Sequence, residues 1–252
     1  MNAGVLQVDG LTKVFGGVRA VDDVTFALAA GELVALIGPN GAGKTTCFNL
    51  VNGQLVPDAG TVTFAGSRID GLPLQAIARL GVGRTFQVAA TFASMTVREN
   101  VMVALQAHAQ RAGGLTTFAT AEGSAGVDAL LARVGCADLA DAHCATLAYG
   151  NAKRVELALA LASRPRLLLM DEPTAGMATR SRGRLMQVAA DLARRDGIAV
   201  LFTEHDMDVV FAFADRVIVL DRGKIIAEGS PAAVRADPRV QAVYLGDPEP
   251  SL

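Results

Sequence analysis

Eight consecutive residues, Gly38-Pro39-Asn40-Gly41-Ala42-Gly43-Lys44-Thr45, carry the most specific chemistry in this 252-residue chain. They satisfy the pattern Gly-x-x-x-x-Gly-Lys-Ser/Thr. The glycines let the backbone turn its N–H groups inward, and a concave ring of N–H groups binds phosphate. Lys44 can reach the β- and γ-phosphates of a nucleoside triphosphate, and Thr45 can ligate Mg²⁺ through its hydroxyl. A second site lies far along the chain, where the apolar run Leu167-Leu168-Leu169-Met170 ends in Asp171-Glu172. Taken alone, that acidic pair fits a helix cap as well as it fits catalysis. Beside a phosphate loop, Asp171 is placed to hold Mg²⁺ and Glu172 to take a proton from an attacking water. The implied chemistry is binding of ATP with Mg²⁺, and its hydrolysis.

Those residues need a scaffold, and the flanking patterns describe one. Residues 33–37 form a compact apolar run, as a strand buried on both faces requires, and 44–51 reads as the helix after the loop. Upstream, 5–8 and 24–28 alternate like short strands, punctuated at Gly16-Gly17 and Ala30-Gly31. Residues 61–64 form another alternating strand. Beyond Gln87 the character changes: 97–109, 127–134 and 152–162 have helical periodicity, while 111–126, rich in Ala, Gly and Thr, reads as a mobile loop. Residues 167–170 and 198–203 are two more buried strands, and 181–195 is an amphipathic helix. Residues 217–220 and 224–227 flank a hairpin turn at Asp221-Arg222-Gly223, and short helices close the chain. The expectation is an α/β core with an inserted helical subdomain over 88–161.

Composition narrows the partners. Lys+Arg number 23 and Asp+Glu 25, so no chain-wide basic field for nucleic acid exists. About half of the residues are apolar, enough for a substantial core. No apolar run approaches the roughly 20 residues that span a bilayer, and no N-terminal signal pattern is visible. The three cysteines are too few for a disulfide framework, and Cys136 and Cys144 around His143 match no common zinc spacing. They read as packing residues in a reducing compartment.

With these residues in view, the chain resembles the ATP-binding subunit of an ATP-binding-cassette (ABC) transporter over essentially its whole length. The resemblance implies a single cassette: a P-loop NTPase core from 1–87 and 162–252, an N-terminal antiparallel β-subdomain, and the helical subdomain. It makes 38–45 the Walker A loop, with Thr46 beside it, and Asp171 and Glu172 the Walker B pair. Phe15 takes the place of the aromatic that stacks on adenine. Gln87, in Arg84-Thr85-Phe86-Gln87, becomes the Q-loop glutamine, a Mg²⁺ or water ligand and a hinge to the helical subdomain. His205, in Thr203-Glu204-His205-Asp206, becomes the switch histidine that hydrogen-bonds the γ-phosphate. Leu147-Ala148-Tyr149-Gly150-Asn151 stands where the signature loop belongs, so Ala148, Tyr149 and Gly150 would face the ATP held by a second ATP-binding subunit, itself or a paralogue. ATP then becomes the glue of a reversible interface. The chain departs from the usual pattern at Ala148, Tyr149 and Asn151, at Ala178 in place of the D-loop aspartate, and at Leu159 where arginine is common.

Within the family, the chain looks most like the branched-chain amino acid importer ATPases. Gly81-Val82-Gly83-Arg84-Thr85-Phe86-Gln87, Met95-Thr96-Val97-Arg98-Glu99-Asn100, Glu204-His205-Asp206-Met207 and the C-terminal Pro238-Arg239-Val240-Gln241-Ala242-Val243-Tyr244-Leu245-Gly246 carry that likeness. It implies two membrane permease subunits, a periplasmic or extracellular substrate-binding protein, no nucleic acid, and a peripheral place on the cytoplasmic face of the plasma membrane. The groove for the permease is expected between Gln87 and the helical subdomain, lined by 89–95. Related importers of short amides or urea carry a similar likeness, and lipid or lipopolysaccharide exporters and soluble ABC ATPases share the same motifs and are the alternatives.

Overall fold

The computed structural model describes residues 4–85, 91–111 and 121–245, and two sheets organise them. The first is antiparallel, with strands β1 (Leu6–Phe15), β2 (Val18–Leu28), β4 (Ala59–Phe64) and β5 (Ser67–Arg68) in the order β2-β1-β4-β5. The second has six strands: β3 (Leu33–Ile37), β6 (Val82–Thr85), β7 (Leu167–Asp171), β8 (Ala199–Thr203), β9 (Arg216–Asp221) and β10 (Lys224–Gly229). Their order is β10-β9-β3-β8-β7-β6, parallel except for the β9–β10 hairpin. Every residue of β3, β7 and β8 is buried, which is why these segments read as unbroken apolar runs.

The side-chain period of two divides those runs between two cores. Leu33, Ala35, Ile37, Leu168 and Met170 face a core shared with the helical region. Val34, Leu36, Leu167 and Leu169 face one shared with the antiparallel sheet and α1 (Lys44–Val51). Helices α3 (Val97–Arg111), α4 (Ala121–Arg133) and α5 (Tyr149–Leu161) pack against one another, and α5 also meets β6 and α6 (Thr179–Asp196). Helix α6 buries Leu185, Met186, Ala189, Ala190, Leu192 and Ala193 along one stripe and ends at Gly197 with φ +70°.

Several elements differ from the sequence reading. Strands β1 and β2 run well beyond 5–8 and 24–28, because irregular register between Val8 and Val14 breaks the alternation. The sequence reading passed over β5, α2 (Leu74–Leu80), the edge strand β6 and α7 (Met207–Phe213). Ala121 begins α4, so 121–126 is helix rather than loop. Helix α5 starts at Tyr149, three residues before the expected 152, which puts Gly150 in its first turn. Gln87 and Ala89 lie outside the described residues. The remaining helices are α8 (Pro231–Ala236) and α9 (Pro238–Leu245). None of the described helices is long and apolar enough to cross a membrane.

Candidate functional site

Strand register assembles the site. Leu36 lies opposite Thr203, and Thr203 opposite Asp171, so the C-terminal ends of β3, β8 and β7 finish side by side. The phosphate loop leaves β3 there, at the edge of the parallel sheet where ligands of α/β folds bind.

The loop is held by its neighbours. A Cβ on Gly38 would lie 2.2 Å from the Leu220 carbonyl oxygen, and one on Gly43 would lie 2.2 Å from that of Ala20. Only glycine permits those approaches. The β9–β10 turn props the loop from outside: Gly223 N–H donates to the Ala42 carbonyl at 2.9 Å, and Gly223 accepts from Asp22 N–H at 2.9 Å. Lys44 is buried, and its ammonium donates to the carbonyls of Gly38 at 2.7 Å and Pro39 at 3.0 Å. Burial pulls the Lys44 pKa below the ordinary lysine value, while the carboxylates of Glu172 and Asp171 push it back up. The cation therefore lies within electrostatic reach of both acids.

Thr203 clamps the acidic pair. Its buried hydroxyl donates to Asp171 Oδ1 at 2.7 Å and accepts from the Glu172 N–H at 3.0 Å. The same N–H reaches the Thr203 carbonyl at 3.2 Å. Glu172 has φ +46°, an uncommon backbone for a side-chain-bearing residue and one that concentrates at functional sites. Its Oε1 lies 2.8 Å from His205 Nε2, so an imidazole protonated on Nε2 donates to the carboxylate. His205 is held from below by Glu204, which is buried. Glu204 Oε2 accepts from the His205 N–H at 3.1 Å, and Oε1 accepts from Thr174 N–H at 2.9 Å and Thr174 Oγ1 at 2.5 Å. Arg182 joins α6 to this corner by donating to the Met177 carbonyl at 2.7 Å and to Asp206, the N-cap of α7. The structure thus unites the phosphate loop, Asp171, Glu172 and His205. It also adds Thr203, Glu204 and Arg84, whose guanidinium is 3.6 Å from Asp171 Oδ2.

Other expected residues sit apart. Phe15 is 46% exposed at the turn end of the β1–β2 hairpin, with Lys13 Nζ 5.6 Å from its ring centroid. Its ring is available for stacking, on the hairpin whose Ala20 abuts the loop. Thr45 is exposed, and Thr46 is half-buried. Ala148 caps α5 without a side-chain hydrogen bond, and Tyr149 is 47% exposed. Among the described residues, no hydrogen bond or ion pair links Ala148, Tyr149 or Gly150 to residues 38–46. A Cβ on Gly150 would lie 2.9 Å from Ser181 Cβ, so glycine lets the start of α5 rest on the first turn of α6. The three cysteines are buried, and burial pushes the Cys47 thiol up to about 12, which makes it unreactive.

The donors around the loop suit Mg²⁺ held jointly with phosphate. The Thr45 hydroxyl and Asp171 carboxylate are hard oxygen ligands, and no described group of three or more His, Cys, Asp or Glu could hold a metal without further ligands. Mg²⁺ characteristically takes one or two protein oxygens and completes its shell with water and substrate phosphate.

The family profile described as ABC transporter matches residues 21–175, and the one described as branched-chain amino acid ATP-binding cassette transporter matches 224–250. The chain is 40% identical to the high-affinity branched-chain amino acid transport ATP-binding protein LivG of Salmonella typhimurium, covering 98% of this chain and 100% of that one. It is 39% identical to the similarly described BraF of Pseudomonas aeruginosa, over the same shares. Among solved structures, the ADP conformation of MJ1267, an ATP-binding cassette of an ABC transporter, superposes with a TM-score of 0.85. That protein is 29% identical over 97% of this chain and 100% of its own.

Proposed function

Because the chain belongs to the ABC transporter ATP-binding family, we propose that it powers import of branched-chain or similar small hydrophobic amino acids from the cytoplasmic face of the membrane. It binds ATP on 38–46, with Lys44 exchanging the carbonyls of Gly38 and Pro39 for phosphate oxygens. Phe15 stacks on the adenine. Thr45, Asp171 and Gln87 hold Mg²⁺, which when bound neutralises phosphate charge. Glu172 accepts a proton from the attacking water as the water oxygen bonds to the γ-phosphorus and the bond to the β,γ-bridging oxygen breaks. ADP and phosphate are the products. His205 orients the Glu172 carboxylate and can reach the departing phosphate. The 2.8 Å contact between Glu172 and His205, beside Asp171 and the loop, carries this reading.

The rest of the assembly follows from what one chain lacks. The start of α5, with Ala148, Tyr149 and Gly150, makes no polar link to its own phosphate loop, and a helix N-terminus favours anions. It serves the ATP of a second subunit in a closed dimer. Two permease subunits dock their cytoplasmic segments in the groove between α2, α5 and β6. A substrate-binding protein outside the membrane delivers the amino acid. The cassette divides into a nucleotide core (1–87 and 162–252) and a helical subdomain (88–161) that carries the α5 start. The Glu172→Gln variant is expected to bind Mg-ATP, to lose turnover and to dimerise with ATP. Persistent monomer with bound Mg-ATP refutes the sandwich, and undiminished turnover refutes Glu172 as base.

A further inference from the structure

Arg84 is the part of this corner that the hydrolytic reading leaves unused. It lies on the edge strand β6, beside Leu169 of β7. Its guanidinium Nη2 is 3.6 Å from Asp171 Oδ2, the oxygen that Thr203 does not engage. Nη1 is 3.4 Å from Asn49 Oδ1, and the group sits 5.6 Å from the Phe48 ring centroid, so α1 supports it from the side. The same side chain forms part of the wall of a groove of about 430 Å³, together with Asn52, Leu74, Ile77, Leu159 and Ser163. At 3.6 Å the contact with Asp171 is an ion pair beyond hydrogen-bond length, so its strength changes gradually with small displacements of the guanidinium.

We propose that Arg84 is a positioning residue for Asp171. Its charge competes with a divalent cation for the carboxylate, and a permease segment seated in the groove relieves that competition by displacing the guanidinium. The second half rests on the docking reading given above; the first does not. Coulomb's law supplies the logic: a buried carboxylate shared with a guanidinium offers less charge to a dication than a free one does. The side chain that shares it reaches from the sheet edge to the groove, so events in the groove bear on the metal-holding oxygen without touching the nucleotide.

The test uses the full chain carrying Glu172→Gln, so that no turnover intervenes. Binding of a fluorescent ATP analogue is followed against Mg²⁺ concentration, and separately in EDTA. Arg84→Met keeps the packing on Phe48 and removes the charge, Arg84→Gln removes the charge with a polar end, and Arg84→Lys keeps the charge. The Mg²⁺ concentration for half-saturation should fall roughly five- to tenfold in the Met and Gln variants and stay within about twofold of the parent in the Lys variant. Affinity in EDTA should be equal in all four. An unchanged Mg²⁺ requirement with normal analogue binding overturns the proposal, as does an equal fall in the Lys variant or a matching change in EDTA. With co-expressed membrane subunits in nanodiscs, the parent should move to the Arg84→Met value while that variant stays put. A parent that keeps its soluble-chain value overturns the groove half alone. A parent chain that binds no analogue with Mg²⁺ present sinks the functional reading, and the proposal with it.

Discussion

Replacing Thr203 by valine keeps the shape of a side chain that is 1% exposed and deletes the hydroxyl that holds both acids. Asp171 Oδ1 loses a donor at 2.7 Å, and a hydrogen bond to a carboxylate contributes about 1.5–3 kcal/mol. The Glu172 N–H loses its 3.0 Å partner but keeps the Thr203 carbonyl at 3.2 Å, so that loss is smaller. Together the cost is about 2–4 kcal/mol of folding stability. Turnover should fall further than stability alone explains, by about 10- to 100-fold, because Glu172 and Asp171 lose the group that fixes their relative position. Thr203→Ser separates the two effects: it keeps both hydrogen bonds and drops one methyl, for about 1 kcal/mol and near-normal turnover. Urea denaturation with matched slopes measures the first quantity, and steady-state ATP hydrolysis the second. A valine variant within about 0.5 kcal/mol of the parent refutes the clamp. So does a serine variant as impaired as the valine one.

Three further outcomes follow from the same geometry. Ala178 caps α6 with no side-chain hydrogen bond, so Ala178→Asp should add about 1 kcal/mol and raise the melting temperature by about 2–4 °C in calorimetry. Burial pushes the Glu32 carboxyl up, but hydrogen bonds from Arg216 and the Ala29 N–H outweigh it and hold the group below its ordinary 4.5. A depressed carboxyl stabilises the fold above the unfolded-state value and loses that contribution as pH falls through the folded one. Glu32→Gln should therefore flatten the loss of stability below about pH 4.5 in acid titrations of the urea midpoint, with the parent steeper over that window. Gly150→Ala drives a methyl to 2.9 Å from Ser181 Cβ and should cost about 1–3 kcal/mol by denaturation. Adding Ser181→Gly should recover part of that loss, and a strictly additive double variant would show that the clash is not the cause.

What the sequence revealed tracks how local each feature is. The phosphate loop was legible because its eight residues are contiguous and glycine-punctuated, between a strand and a helix whose limits, 33–37 and 44–51, were read as they stand. Strand β6 was not legible: Val82-Gly83-Arg84-Thr85 is short and does not alternate in polarity, and Gly83 is needed because a Cβ there would meet Pro165 Cβ at 3.0 Å. Residues 121–126, Ala-Glu-Gly-Ser-Ala-Gly, have poor helix propensity, yet they continue into Val127 and Leu131, which are fully buried in the core shared with α3 and α5. Tertiary burial overrides the local preference there.

The same rule divides the candidate site. Asp171, Glu172 and His205 were found because a motif places them, whereas Thr203 and Glu204, within two residues of His205, were passed over. Their work is done across 30 to 32 residues of chain, through hydrogen bonds to Asp171, Glu172 and Thr174. Arg84 acts on Asp171 across a strand pairing that no local pattern announces. The Gly223 prop for the phosphate loop comes from a hairpin about 180 residues downstream of that loop, recognised as a turn but not as a support. A motif names the groups that meet the substrate, while the groups that set their geometry are recruited by sheet register. In this chain the register that pairs Leu36 with Thr203 and Thr203 with Asp171 joins the two. A change that slipped β8 by one residue would leave every motif intact and turn Thr203 away from both acids.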